Sequence, residues 1–183
     1  MKRLLTIFIT LFILFSTSSI ALAEIKESGS SAIMASNITI FKNDSRARIL
    51  KRYLESYNSP LAKNANVFVR EADRNNIDWR LVAAISGVES SYGKSLPDNS
   101  YNAWGWGIYG DNIIRFNSYD EAISTISKSL REQYMNKWHA VDVYAIGKIY
   151  ASSPTWSERV EYFMMNIENQ IEKQRSDTLS LSI

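Results

Sequence analysis

The sequence predicts a mainly α domain, a helical bundle around one central helix with a short β-hairpin insert. Three observations lead there. Apolar residues recur at three- and four-residue spacing in segment after segment, and helix-capping residues stand in front of most of those segments. Within the domain one stretch, Gly93 to Asn117, loses that period and fills with glycine, asparagine and aromatic side chains. With 45% hydrophobic and 22% charged residues in 183, the chain can build the core of one domain with tails.

The N-terminal element is read as a signal peptide over 1–23. "MKR" is a short basic start, "LLTIFITLFILF" (Leu4 to Phe15) is an uncharged apolar run, and Ala21-Leu22-Ala23 has the small-x-small form of a cleavage site. Cleavage is expected before Glu24, with the protein secreted or held in the cell envelope and free of the membrane afterwards. An uncleaved anchor is the alternative, although the run is shorter than the roughly 20 residues that span a bilayer. Cleavage removes Lys2 and Arg3 and no acid, so the formal charge of +2 falls to zero. A neutral domain lacks the basic footprint of a nucleic-acid binder. The absence of cysteine excludes disulfides and a lipid-bearing cysteine, and with His139 the only histidine no zinc site is expected. No cofactor or other metal is implied, and a monomer is expected.

Residues 24–43 mix serine, glycine and polar residues and read as a flexible linker; the domain itself is expected over 44–173. "DSRARILKRYLESY" offers Asp44 or Ser45 as an N-cap, followed by Ile49, Leu50, Tyr53, Leu54 and Tyr57 at helical spacing. Ser59-Pro60 starts a second helix, since serine caps and proline at the first position sacrifices no needed N–H. Its stripe is Leu61, Ala65, Phe68, Val69 and Ala72. Asp78 caps a third helix, "WRLVAAISGVESSY", which Gly93 is expected to stop. "WGIY" and "IIRF" flank Gly110-Asp111-Asn112 as a hairpin with a three-residue turn. "SYDE" (Ser118 to Glu121) has capping-box spacing and opens a fourth helix. A short helix follows over 141–150, then Thr155-x-x-Glu158 opens a last one ending near Lys173. The tail 174–183 has nothing to bury and is expected to be disordered.

The third helix carries an anomaly. Leu81, Ile85 and Glu89 lie four apart and share a face, so a carboxylate stands at the edge of an apolar stripe, in the last turn. Burial disfavours its charged form, and the partial negative charge of the helix C-terminus acts the same way, so its pKa is expected to rise. A carboxylic acid that keeps its proton near neutral pH is suited to general-acid chemistry at a glycosidic oxygen. A helix-end glutamate bending out to water fits the same spacing.

The segment after it, "SYNAWGWGIYG", sets Tyr101, Trp104, Trp106 and Tyr109 among three glycines. Sugars stack flat C–H faces on aromatic rings and offer hydroxyls to amides such as Asn99 and Asn102, while glycines allow close backbone approach. The bland alternative is that some of these rings, Trp104 or Trp106 first, cover the hairpin as local core.

"AISGVESSYGKS", "NAWGWGIYG", "FNSYDEAI" and "IYASSPTWSERV", in that order, resemble the glucosaminidase domains of glycoside hydrolase family 73, the mannosyl-glycoprotein endo-β-N-acetylglucosaminidase-like domains. The resemblance covers roughly Ser59 to Ile167 and implies an α+β lysozyme-like fold acting on the β-1,4-linked amino-sugar backbone of peptidoglycan. It implies Glu89 as catalytic acid, Asn102 to Ile108 as a sugar-contacting wall, and Tyr150 as the late tyrosine near the cleft. "AWGWGI" departs from the shorter family pattern by an extra Trp-Gly step. Glu-Ser before a Gly-rich segment also resembles lytic transglycosylases, but the glutamine-containing motif of the Gly-Leu-Met-Gln type is absent.

The substrate-binding set expected from these readings is Tyr101, Asn102, Trp104, Trp106, Tyr109 and Tyr150, with Glu89 and Asp111 catalytic. A water-activating base would lie across the sugar ring, roughly 6.5–9.5 Å from the acid in an inverting enzyme. Asp111 at the hairpin tip is the first candidate and Asp98 the second; a solvated turn aspartate suits either position equally. The substrate's N-acetyl group is the alternative to both. No sharp-turn serine accompanies His139, so a Ser-His-Asp arrangement is not expected. A non-catalytic glycan-binding module and a helical interaction protein are the two readings outside enzyme chemistry.

Overall fold

In the computed structural model, which describes residues 44–107 and 113–180 (backbone alone over 174–180), Asp44 opens the first helix. All of these residues fall in one unit, Phe41–Ile183. Helix α1 is Ser45–Ser56; the Asp44 side chain accepts the Arg46 N–H, and Ile49, Leu50, Tyr53 and Leu54 are buried as their spacing requires. The Arg46 guanidinium, bonded to both carboxyl oxygens of Asp44, holds that carboxyl below its ordinary pKa. A depressed carboxylate stabilises the fold above its unfolded pKa and ceases to do so as pH falls through the folded one. Asp44→Asn, which keeps a capping side chain, is therefore expected to lower stability at neutral pH and to flatten the loss below about pH 4. Urea denaturation at pH 7 and pH 3 checks this, and an unchanged acid slope would count against it.

Ser59 caps as expected, its Oγ accepting the Leu61 N–H, but Pro60–Asn64 winds as a 3₁₀ turn before α2, Ala65–Asn75. The expected stripe of Leu61, Ala65, Phe68, Val69 and Ala72 is buried throughout. Asn76, with φ 49°, ends α2 in the left-handed region, which asparagine tolerates better than most residues. Helix α3 is Leu81–Ser90, and every residue from Leu81 to Gly87 is buried. A helix apolar on all sides belongs in the middle of a bundle. Accordingly α3 packs against two later helices, α4 (Tyr119–Ser129) and α6 (Trp156–Ser180), while α2 packs on α1 and α4, and α5 (Val143–Tyr150) on α6.

The stop of α3 differs from expectation. The helix ends at Ser90, before Gly93, because Ser91 and Tyr92 both take positive φ, 52° and 62°, and fold the chain back. The Tyr92 N–H closes on Ser86 O at 2.9 Å. Its ring is buried against Gly87, where an added Cβ would lie 2.6 Å from Cζ. Its hydroxyl shares a 2.7 Å hydrogen bond with that of Tyr53. Strained backbone at a bulky residue persists only where the surroundings hold it; here two buried contacts do so.

Among the described residues no strand forms, and the mainly α class holds. Residues 113–116 make no ladder; the Phe116 N–H bonds instead to Ser100 O at 2.9 Å. Ile108 and Tyr109 of the expected first strand, and the turn expected at 110–112, lie outside the described residues.

Helix α4, Tyr119–Ser129, is capped by Ser118, whose Oγ accepts the Glu121 N–H. Glu121 reaches back one residue further than in the usual box, accepting the Asn117 N–H at 2.7 Å. The helix continues as a π-helical segment, Leu130–Lys137. Helix α5 is Val143–Tyr150, capped by Asp142, and α6 is Trp156–Ser180. Thus α6 runs past the expected end near Lys173 into the segment read as a disordered tail. That stretch contains no glycine or proline, and adding residues to an established helix avoids the cost of nucleation.

Candidate active site

Glu89 occupies the last turn of α3, where that helix meets both the aromatic segment and the start of α6. Its Oε1 accepts a hydrogen bond from the Trp156 indole N–H at 2.6 Å. Its Oε2 faces Gly105, close enough that a Cβ there would stand 3.5 Å away. Glu89 is an exposed residue, its carboxyl covered on the Trp156 flank and open to solvent on the other. Partial burial pushes its pKa up, and the indole bond and the charge of Arg159 pull part of that rise back. The direction is the one the sequence leads us to expect.

Ser90, the partner of Glu89 in the Glu-Ser pair, fixes the aromatic segment to the helix. Its buried hydroxyl lies 2.8 Å from Ala103 O and 3.1 Å from Ser86 O, and accepts the Gly93 N–H at 2.8 Å. The segment is thereby tied to α3 one residue beyond the carboxylate.

An aromatic row leads away from Glu89. Trp156 stacks on Tyr150 with ring centroids 4.8 Å apart and planes 22° from parallel. Trp106 lies 6.1 Å from both Tyr150 and Tyr134, and Tyr134 meets Trp138 edge-on at 5.0 Å. Trp156 is buried, Trp106 and Tyr150 are half-buried, and Trp138 is exposed. Tyr150 donates its hydroxyl proton to Trp104 O at 2.8 Å, and burial together with the Glu89 charge keeps its pKa well above the ordinary tyrosine value.

Two residues expected on the sugar-contacting wall are interior instead. Trp104 is fully buried, its indole N–H given to Val82 O at 2.8 Å and its ring 6.2 Å from Phe68. Asn102 is buried too: its Nδ2 donates to Trp106 O and Ile114 O, and its Oδ1 accepts the Trp106 N–H. Both amide hydrogens are spent on the backbone of its own loop, and burial withholds the remaining acceptor site from a hydroxyl. Asn102 shapes the segment and Trp104 anchors it. Tyr101 is exposed but packs edge-on against Tyr119 at 5.1 Å. Asp98 sits exposed in the turn before Ser100. Tyr109 and Asp111 lie outside the described residues.

The structure adds Trp156, Tyr134, Trp138 and Arg159, none of which the sequence reading places at the site. Trp156 and Arg159 lie within the "IYASSPTWSERV" stretch quoted for the resemblance, so position is a usable signal. Tyr134 and Trp138 are placed by the π-helical segment, whose spacing the ordinary helical period does not reveal. Among the described residues no group of three or more His, Cys, Asp or Glu is arranged to hold a metal ion, and no helix is long and apolar enough to cross a membrane.

No protein-family model matches this chain, and no curated protein matches it. The chemistry of the site rests on its own residues.

Proposed function

We propose that the protein is an exported hydrolase of peptidoglycan glycan strands, an endo-β-N-acetylglucosaminidase of the glycoside hydrolase family 73 kind, with Glu89 as its general acid. One observation carries this reading. A carboxyl with a raised pKa is held by an indole N–H at the end of a buried helix, open to solvent on one side and flanked by aromatic rings. Glu89 donates its proton to the bridging oxygen as the glycosidic bond breaks through an oxocarbenium-like state. Trp106 offers the half-exposed ring for the sugar face, and the substrate is a β-1,4-linked N-acetyl amino-sugar polymer. The enzyme works as a monomer without metal or cofactor.

Among the described residues, the groups that shift Glu89 are Trp156 and Arg159, neither of them a carboxylate. The second role falls either to Asp111, which lies outside the described residues, or to the substrate's acetamido oxygen, which closes on the anomeric carbon before water opens the ring and leaves Glu89 as the single essential carboxylate. A lytic transglycosylase likewise needs a single carboxylate, which keeps it as the second reading. Mass spectrometry of products from purified sacculi separates the two: a reducing end derived from water supports hydrolysis, and a 1,6-anhydro end supports the transglycosylase. Retention on sacculi without release of any fragment would leave a glycan-binding module instead.

A further inference from the structure

We propose that Trp156 is the positioning residue of the site, its indole N–H occupying Glu89 Oε1 so that the transferable proton resides on Oε2, the oxygen beside Gly105. The proposal rests on Glu89 serving as the acid, as argued above.

An indole N–H can only donate, so the oxygen it meets must accept. In a neutral carboxyl group the better acceptor is the carbonyl-type oxygen, which leaves the hydroxyl on the other atom. The 2.6 Å bond to Oε1 thus selects Oε2 as proton carrier. Oε2 is also the oxygen turned towards the Trp104-Gly105-Trp106 segment, where a ligand lying along the aromatic row would arrive. When the proton leaves for the bridging oxygen as the glycosidic C–O bond breaks, the carboxylate remains with the indole N–H still on Oε1. That bond strengthens as charge develops, since hydrogen bonds to ionised acceptors are about twice as strong as neutral ones.

Three features hold the indole in place. Trp156 is the first residue of α6 and is 3% exposed. One face stacks on Tyr150, whose hydroxyl is itself fixed on Trp104 O. Gly147 of α5 clears the space: a Cβ there would meet Trp156 Cε3 at 3.0 Å and collide with Ser157 Oγ. The charged and titratable groups facing the carboxyl are Arg159 from α6, which favours its ionised form, and Tyr150 from α5, which burial keeps neutral. From the aromatic segment the facing residue is Gly105, which carries no charge.

Trp156→Phe keeps a ring for Tyr150 and deletes the N–H. Carboxyl ¹³C NMR without substrate is expected to show the Glu89 titration moving to higher pH. The alkaline limb of the glycan-cleavage profile should move the same way, with kcat down about 10–100-fold at little change in KM. In the wild-type protein, one indole ¹H–¹⁵N resonance should titrate with the Glu89 midpoint and lose that titration in Glu89→Gln. This second measurement stands even if the phenylalanine variant fails to fold. A folded Trp156→Phe with an unmoved Glu89 midpoint, or a wild type in which no indole resonance follows Glu89, would overturn the assignment. Failure of wild type to cleave any amino-sugar polymer is a different outcome: it removes the hydrolase reading and leaves the NMR titrations to judge Trp156.

Discussion

Glu89→Gln is expected to lower glycan cleavage by about 10²–10⁴-fold while the domain stays folded. Glutamine is nearly isosteric, and its carbonyl oxygen can still accept the Trp156 N–H, so the 2.6 Å contact and the Trp156–Tyr150 stack survive. What disappears is the transferable proton. Thermal stability at neutral pH should hold or rise slightly. A carboxyl whose folded pKa is raised contributes most below its unfolded pKa and weakens the fold as pH climbs through the folded one. Replacing it by a neutral amide removes that penalty, as is common where a functional group is kept at some expense of stability. Sacculus digestion followed by muropeptide chromatography, with a melting curve on the same sample, tests both halves. Wild-type release by a well-folded Glu89→Gln would end the general-acid assignment.

The contrast between what the sequence shows and what it hides follows the range of the interactions. Asp44, Ser59 and Ser118 are each legible because a cap bonds to an N–H two or three residues away. The buried stripes of α1 and α2 are legible because a helical period is a local property. Glu89 is legible for the same reason, as a charge at the margin of an apolar face. Asn102 is not: an amide that satisfies its own loop and one offered to a ligand look identical in sequence, and only the partners, Trp106 and Ile114, tell them apart. Trp156 meets Glu89 across 67 positions of chain, a pairing that no periodicity encodes. The end of α3 is misjudged because glycine is the expected stop, whereas the buried Tyr92–Tyr53 contact draws Ser91 and Tyr92 into the left-handed region first.

The two tryptophans of the aromatic segment are expected to answer alanine substitution in opposite ways. Trp104→Ala empties one of the largest fully buried side-chain sites and removes the indole bond to Val82 O, a carbonyl left with only the donor of its own helix. Truncations of this kind cost about 3–5 kcal/mol, against a total stability of about 5–15 kcal/mol for a typical domain. The melting temperature should fall by roughly 10 °C or more. Cleavage should fall with it, because the Trp104 carbonyl that anchors Tyr150 and the neighbouring Gly105 both depend on where this ring sits. Trp106→Ala removes a half-buried ring, while the hydrogen bonds between Trp106 and Asn102 are made by the Trp106 backbone. Those bonds need no side chain, so the segment should keep its course and the melting temperature should change far less. The loss should appear in glycan affinity, as a higher KM and weaker retention on sacculi, since the face beside Tyr150 and Tyr134 is gone. Melting curves and sacculus pull-downs on the two variants decide the matter. If Trp104→Ala kept its stability and lost only glycan binding, the interior role assigned to that ring would be wrong, and the sugar-contacting wall would have to be redrawn around it.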